Sequence, residues 1–170
     1  MLKFQNDLHH IFFFTYICSM ETMEIIITEL CNKYGVDFNK ITLSIFKGDG
    51  INGTCSPFRV KEGFKFIKDY SKVKISINEK LLKDKIKLRA TICHEFAHAI
   101  QILSLGLDYN QLKNEFPRVS FTTYSENLLE CQAEAFAVYE NGFSNHSKKG
   151  AIEMDCYRSI INDFLKSYVY

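Results

Sequence analysis

His94-Glu95-Phe96-Ala97-His98, in the second half of a chain of 170 residues, is the most informative segment of this sequence. On a helix, residues four apart leave the same face about one turn apart, so both imidazoles could bind one zinc ion at roughly 2.0–2.1 Å. Glu95 adjoins the first histidine and could take a proton from a water activated by that metal as the water attacks a carbonyl. The segment therefore predicts a hydrolytic zinc site with Glu95 as general base.

The helix that carries this segment is predicted to run from about Lys85 to Leu105 and to end at Gly106. One of its faces is apolar, and the two histidines lie on a neighbouring face together with Gln101. The apolar face consists of Leu88, Ile92, Phe96, Ala99 and Leu103. A helix with one face for the core and another for a metal favours zinc ligation over two surface histidines.

A third protein ligand is expected, because catalytic zinc usually has three and a water. A second helix is predicted from near Thr123, whose spacing to Glu126 forms a capping box, to about Glu140. Glu126, Glu130 and Glu134 stand four residues apart on it. Like charges at this spacing repel, so the stripe is better tolerated facing a cation or solvent, and a solvated face remains the alternative for each residue.

Small residues favour the metal-facing interpretation of this stripe. Ala133 and Ala137 flank it and allow close approach to the first helix, which presents Ala97. Glu130 is the central carboxylate of the three, and we predict it as the third ligand.

The same segments resemble the ImmA/IrrE-type metallopeptidases, within the short gluzincins. The resemblance covers about residues 72–140 and lies in Ile75-Ser76-Ile77-Asn78, in Thr91-Ile92-Cys93-His94-Glu95-Phe96-Ala97-His98 and in Glu130-Cys131-Gln132-Ala133-Glu134-Ala135-Phe136-Ala137. It implies a zincin-like fold, zinc bound by His94, His98 and Glu130, Glu95 as the base, and Glu134 as a support of the site from outside the ligand set. From its position one turn after Glu130, Glu134 is expected to accept a hydrogen bond from the zinc-bound His94.

The chain departs from that family in two respects. No helix-turn-helix DNA-binding segment is recognisable, and the final helix, from Ala151 onward, matches nothing known in the family. SprT-like peptidases usually take a histidine as third ligand, but the one downstream histidine, His146, falls in a loop. Neither these departures nor the comparison with SprT-like peptidases changes the prediction of Glu130 as third ligand.

The remaining pattern predicts one α+β domain over residues 20–170. A helix at 20–34 ending at Gly35 is followed by strands at 41–46, near 54–58 and at 73–77, and then by three helices. The small sheet, mainly antiparallel or mixed, is expected to pack against the two metal-ligand helices. Residues 1–19 are expected to be an extension or a peripheral helix, since their apolar run at 11–17 lacks the flanks of a signal peptide and is too short for a bilayer.

Composition limits the expected partners and compartment. Lys and Arg number 21 against 20 Asp and Glu, for a net charge of +1. This balance suggests neither nucleic acid nor a membrane as a partner, so a protein or peptide substrate is expected. The six cysteines are scattered singly, which favours free thiols and a cytoplasmic location over secretion.

Tyr109, Arg118 and Tyr124, between the two ligand helices, are candidates to stabilise the oxyanion, although tyrosines there are more often packing residues. The sequence as a whole predicts a zinc metallopeptidase. The alternative is a catalytically silent, zinc-stabilised binding or regulatory protein. Glu95 favours the enzyme, because a purely structural zinc site has no need of a carboxylate beside its first ligand.

Overall fold

The chain is an α+β protein whose small mixed sheet packs against helices. A computed structural model describes residues 20–106, 128–141, 162–164, 166 and 168. Helix α1 covers residues 20–34, and the strands are β1 (Ile41–Phe46), β2 (Gly53–Glu62) and β3 (Lys65–Asn78). Helices α2 (Lys85–Leu105) and α3 (Leu128–Asn141) follow, and the described residues among 162–168 are also helical. The α+β class predicted from the sequence is confirmed.

The sheet has the strand order β1-β3-β2. β1 runs parallel to the second half of β3, from the pair Ile41–Val73 to the pair Phe46–Asn78. β2 runs antiparallel to β3, with a break in register between Pro57 and Phe58. The sheet is therefore mixed, and β2 is an edge strand among the strands that the structure describes.

One face of β3 forms the base of the core. Val73, Ile75 and Ile77 are fully buried, whereas Lys74 between them is exposed. This alternation is what a sheet covered by helices on one face requires. The helices contribute a chain of packed aromatic rings: Tyr34, Phe96, Phe136 and Phe164.

The ends of α2 follow from its flanking residues and coincide with the sequence prediction. The Asp84 carboxylate accepts a hydrogen bond from the backbone N–H of Lys87 at 3.1 Å and so caps the first turn. Gly106 ends the helix with φ of 66°, a left-handed conformation that glycine adopts without strain. Gly35 does the same after α1, with φ of 68°.

Two strands were predicted too short. β2 was expected near 54–58 but covers Gly53–Glu62. β3 was expected at 73–77 but begins eight residues earlier, at Lys65, and the two strands form a long hairpin. Residues 61–68 are all exposed. The added part of β3 places two apolar residues, Phe66 and Ile67, before two charged ones, Lys68 and Asp69, so it lacks the alternation of apolar and polar residues on which the prediction depended.

Several predictions lie outside the described residues. These are the structure of residues 1–19, the start of α3 near Thr123, and most of the last helix. Among the cysteines that the structure describes, Cys31, Cys55 and Cys93 are free thiols. None of the described helices is long and apolar enough to cross a membrane.

Candidate metal centre

His94 and His98 point toward a common position from the middle of α2. Their rings meet edge to face with centroids 4.9 Å apart, and the two Nε2 atoms lie 3.2 Å from each other. The four-residue spacing on an unbroken helix produces this arrangement. His98 is buried, while His94 is partly exposed and borders a cavity.

Glu130 completes the group from α3. Its Oε2 lies 3.2 Å from His94 Nε2 and its Oε1 lies 3.4 Å from His98 Nε2. Ala97 on α2 and Ala133 on α3 are both fully buried, as expected where two helices approach closely. The structure thus brings His94, His98 and Glu130 together as a group that could hold a metal ion.

The distances within this group suit a tetrahedral ion. Two donor atoms about 2.1 Å from a tetrahedral zinc lie about 3.4 Å apart. The observed separations of 3.2, 3.2 and 3.4 Å match this spacing. The two imidazoles face different oxygens of the Glu130 carboxylate. These four electron-rich atoms repel one another at such distances unless a proton or a cation lies among them, so the donor set fits a metal ion.

Gln101 fixes the tautomer of His98 from the far side of the ring. Its side-chain N–H group donates to the backbone carbonyl of Leu129 at 3.3 Å and to Gln132 Oε1 at 2.9 Å. Because a backbone carbonyl can only accept, the Gln101 oxygen must face His98 Nδ1, which lies 2.8 Å away. His98 Nδ1 therefore donates, and in the neutral ring the lone pair lies on Nε2, which faces the metal-binding group.

The charges in the group are strongly coupled. Burial works to raise the pKa of Glu130, but hydrogen bonds from His94 and His98 hold it well below its usual range. Burial alone would lower the pKa of His98, yet its hydrogen bond with Glu130 and the charge of that carboxylate raise it above its ordinary value of 6.5. In the absence of metal, the ionised carboxylate thus stabilises a protonated imidazole.

Glu95 lies beside this group but is not one of the three converging ligands. Its side chain is buried, and burial raises the pKa of its carboxyl, although the charges of His98 and His94 act in the opposite direction. Glu95 lines the same cavity as His94 and Glu130. It therefore has the environment of a carboxylate that can exchange protons.

The start of β2 packs directly on this carboxylate. A Cβ atom added at Gly53 would lie 2.9 Å from Glu95 Cγ and Oε1 and 2.8 Å from Thr91 Cγ2. Such distances are too short for any side chain, so only glycine allows the strand to approach the helix this closely.

Asn78 holds one wall of the cavity. This buried side chain donates to the backbone carbonyl of Gly48 at 2.7 Å and to that of Ile51 at 2.9 Å. Its own backbone N–H donates to the carbonyl of Asn52 at 2.8 Å. Residues 50–53 line a cavity of about 600 Å³ opposite α3, so Asn78 positions the loop that faces the metal-binding group.

The structure places Glu134 on the wall of this cavity with Ala137 and Val138. In the described part of the chain, no hydrogen bond joins Glu134 to His94, the interaction expected from the sequence, and its supporting role stays a prediction. Glu126, Tyr109, Arg118 and Tyr124 lie outside the described residues.

Sequence reasoning assigned no role to Gln101, Gln132, Gly53 or Asn78. Gln101 was recognised only as sharing a face with the histidines. Its position three residues after His98 on the metal-facing side could have suggested a partner for that ring. Asn78 ends the Ile-x-Ile-Asn segment, but nothing in the sequence shows which carbonyls it would reach.

No protein-family model, curated protein or solved structure matches this chain. The resemblance to the ImmA/IrrE-type metallopeptidases therefore rests on the segments quoted above.

Proposed function

We propose that this protein is a zinc-dependent metallopeptidase with a zincin-like fold of the short gluzincin type. One observation carries the proposal: the donor atoms of His94, His98 and Glu130 stand 3.2–3.4 Å apart while Glu95 opens onto the same cavity. Two imidazoles and one carboxylate are the donor set of several catalytic zinc sites, and such sites leave the fourth position for water or substrate.

Bound zinc would supply Lewis acidity, which polarises a carbonyl and brings the pKa of a water close to neutrality. The protein residues do the rest. Glu95 takes the proton of the attacking water and returns it to the leaving nitrogen, and its raised pKa brings it closer to the neutral range in which proton transfer in both directions is efficient. His98, held by Gln101, keeps its Nε2 directed at the site.

A peptide is the substrate class that the surroundings favour. The cavity is bordered by Gly53, the first residue of β2, which is an edge strand among those described. Strand edges bind extended peptides through main-chain hydrogen bonds. Gly53 leaves the strand close to Glu95, so a peptide paired with β2 would pass beside the base.

A second function is favoured by one specific feature, which is that the ligands come from both α2 and α3. A metal bound there would tie the two helices together, as in a zinc-stabilised binding protein without activity. In such a protein Glu95 would have no catalytic role, and its replacement would leave the zinc content unchanged with no activity to lose.

Replacement of Glu95 by Gln distinguishes the two functions. In a peptidase, Glu95→Gln should retain one zinc per chain but lower the cleavage of a peptide library by at least about 10²–10⁴-fold, because a proton acceptor is lost and no ligand is removed. Zinc is counted by elemental analysis, and Glu24→Gln on the exposed side of α1 serves as the control. Full turnover in zinc-loaded Glu95→Gln would contradict the mechanism. A wild-type protein that cuts no peptide would favour the silent alternative.

A further inference from the structure

The distal part of the β2–β3 hairpin projects as a two-stranded arm, defined here as residues 58–69. Beyond the irregularity at Pro57, the pairing continues from Phe58–Asp69 to Glu62–Lys65. β1 pairs with β3 only from Val73 onward, so it does not support this part of the hairpin. Gly63, with φ of 60°, and Phe64 form the turn at the tip.

The arm exposes large apolar side chains. Phe64 at the tip is fully exposed, Phe66 is 69% exposed, and Ile67 is 39% exposed. A two-stranded ribbon is marginally stable in water, and clustered exposed apolar groups commonly mark an interaction site. The composition of the arm is therefore that of a docking element.

Positive charge accompanies these apolar groups. Residues 58–69 carry four Lys and Arg against two Asp and Glu, which leaves seventeen cationic and eighteen anionic residues in the rest of the chain. The near-neutral total thus divides into an arm of net charge +2 and a remainder of −1. In the described part of the chain, Arg59, Lys61 and Lys65 form no ion pair with an acidic side chain.

β2 connects this arm to the candidate active site. The strand begins at Gly53 on the cavity and reaches Arg59 six residues later, a distance of about 20 Å at roughly 3.3 Å per residue. Pro57 has no backbone N–H, so main-chain pairing with an added strand is restricted beyond this point. A ligand that continues past Pro57 would be recognised mainly through side chains.

We propose that the arm docks an acidic segment, interspersed with apolar residues, of the polypeptide whose scissile bond lies at the metal centre. The link to cleavage rests on the proposed peptidase function, whereas the docking itself does not. A polypeptide can pair with the edge of β2 near Gly53 and place carboxylates against Arg59 and Lys61 about six residues further on. Nucleic acid and membrane lipids offer the negative charge but no main chain that could follow a strand edge.

The test measures binding without catalysis. The zinc-loaded Glu95→Gln protein is titrated into a fluorescein-labelled peptide in which Glu alternates with Val over about twelve residues, enough to span β2 from Gly53 to the tip. A peptide with Gln in place of each Glu is the matched probe. The acidic peptide should bind at least about tenfold more tightly, and this preference should weaken with salt.

Charge reversal then locates the site. Arg59→Glu combined with Lys61→Glu should remove the preference, whereas Lys40→Glu combined with Lys83→Glu, at two exposed lysines elsewhere, should preserve it. Phe64→Ser should weaken the binding of both peptides, because the tip contributes apolar contact. Zinc content and melting temperature are measured for each variant. If the charge-reversed arm variant binds less zinc or melts at a lower temperature than the wild type, Arg59→Gln with Lys61→Gln replaces it.

Three results would overturn the docking proposal: equal affinity for the two peptides, equal loss in the arm and control variants, or tighter binding of the arm to single-stranded oligothymidine or phosphatidylserine vesicles than to the acidic peptide. The proposed activity can fail separately. If the acidic peptide binds the arm but the wild-type protein cleaves no peptide, the docking surface stands and the peptidase assignment is withdrawn.

Discussion

Gln101 Oε1 lies 2.8 Å from His98 Nδ1, and both side chains are buried. The amide group of Gln101 also spans the gap to α3, where it meets the Leu129 carbonyl and Gln132. One side chain thus orients a candidate metal-ligand histidine and bonds to the helix that supplies Glu130. Its position between the two elements makes it the strongest candidate for control of the site from outside the ligand set.

Replacement of Gln101 by Leu should lower zinc affinity by about 10–100-fold, because the His98 N–H would lose its acceptor and the ring its fixed orientation. Gln132→Leu leaves the His98–Gln101 contact in place and should have a smaller effect. Zinc titration against a chromophoric chelator measures both. Equal affinities for Gln101→Leu and the wild type would show that the ring is oriented by packing alone.

Glu126, Glu130 and Glu134 should differ sharply in their contribution to zinc binding. Glu130→Ala removes a donor and should nearly eliminate binding, whereas Glu134→Ala should weaken it by the 10–100-fold typical of a supporting residue. Glu126→Ala is expected to matter least. The same titration ranks the three variants. Loss of binding in Glu134→Ala with binding spared in Glu130→Ala would reverse the assignment of ligand and support.

Gly53→Ala should impair activity without removing zinc. The added methyl group would press on Glu95 and Thr91, and small displacements of a catalytic group can cost up to about 100-fold in rate. Gly48→Ala is the control, since its Cβ would meet only the Phe46 ring, at 3.4 Å. Peptide turnover and zinc content are measured together. Unchanged turnover in Gly53→Ala would mean that the strand can move away at no cost.

The stability of the metal-free protein should fall as pH rises through neutrality. His98 and Glu95 both have raised pKa values in the folded state, so the folded protein holds more protons than the unfolded chain. The contribution of His98 is complete below its ordinary pKa of 6.5 and is lost as pH rises through the raised value. The contribution of Glu130, whose pKa is lowered, is already constant above its ordinary value of 4.5.

Thermal melts with a chelator should therefore show a lower melting temperature at about pH 8 than at about pH 6. With zinc present the trend should weaken or reverse, because metal binding requires imidazoles without a proton at the ligating nitrogen. A metal-free melting temperature that rises over this range would contradict the proposed coupling between His98 and Glu130.

Helix positions could be predicted from sequence because their signals are local. The apolar face of α2 and the glycine that follows it define its length without reference to the rest of the chain. The convergence of His94, His98 and Glu130 was also accessible, since regular spacing on two helices leaves few ways to bring the three together.

Features that depend on tertiary contacts were not accessible. The parallel pairing of β1 with β3 joins residues far apart in sequence. The added part of β3 places Phe66 next to Ile67, without the alternation of a half-buried strand. Gln101 could be placed on the correct face, but its partner depends on where the Leu129 carbonyl lies after the helices pack.

The hydrogen bonds of Asn78 hold one loop of the cavity independently of the metal-binding group. The residue fixes both ends of the loop between Gly48 and Asn52, while the metal-binding group belongs to helices that this loop does not anchor. Residues 49–51 can therefore vary, provided that the conformation of Gly50, with φ of 92°, is kept. In the proposed peptidase, exchange of this short loop between its two fixed ends would change selectivity and leave the metal-binding group unaltered.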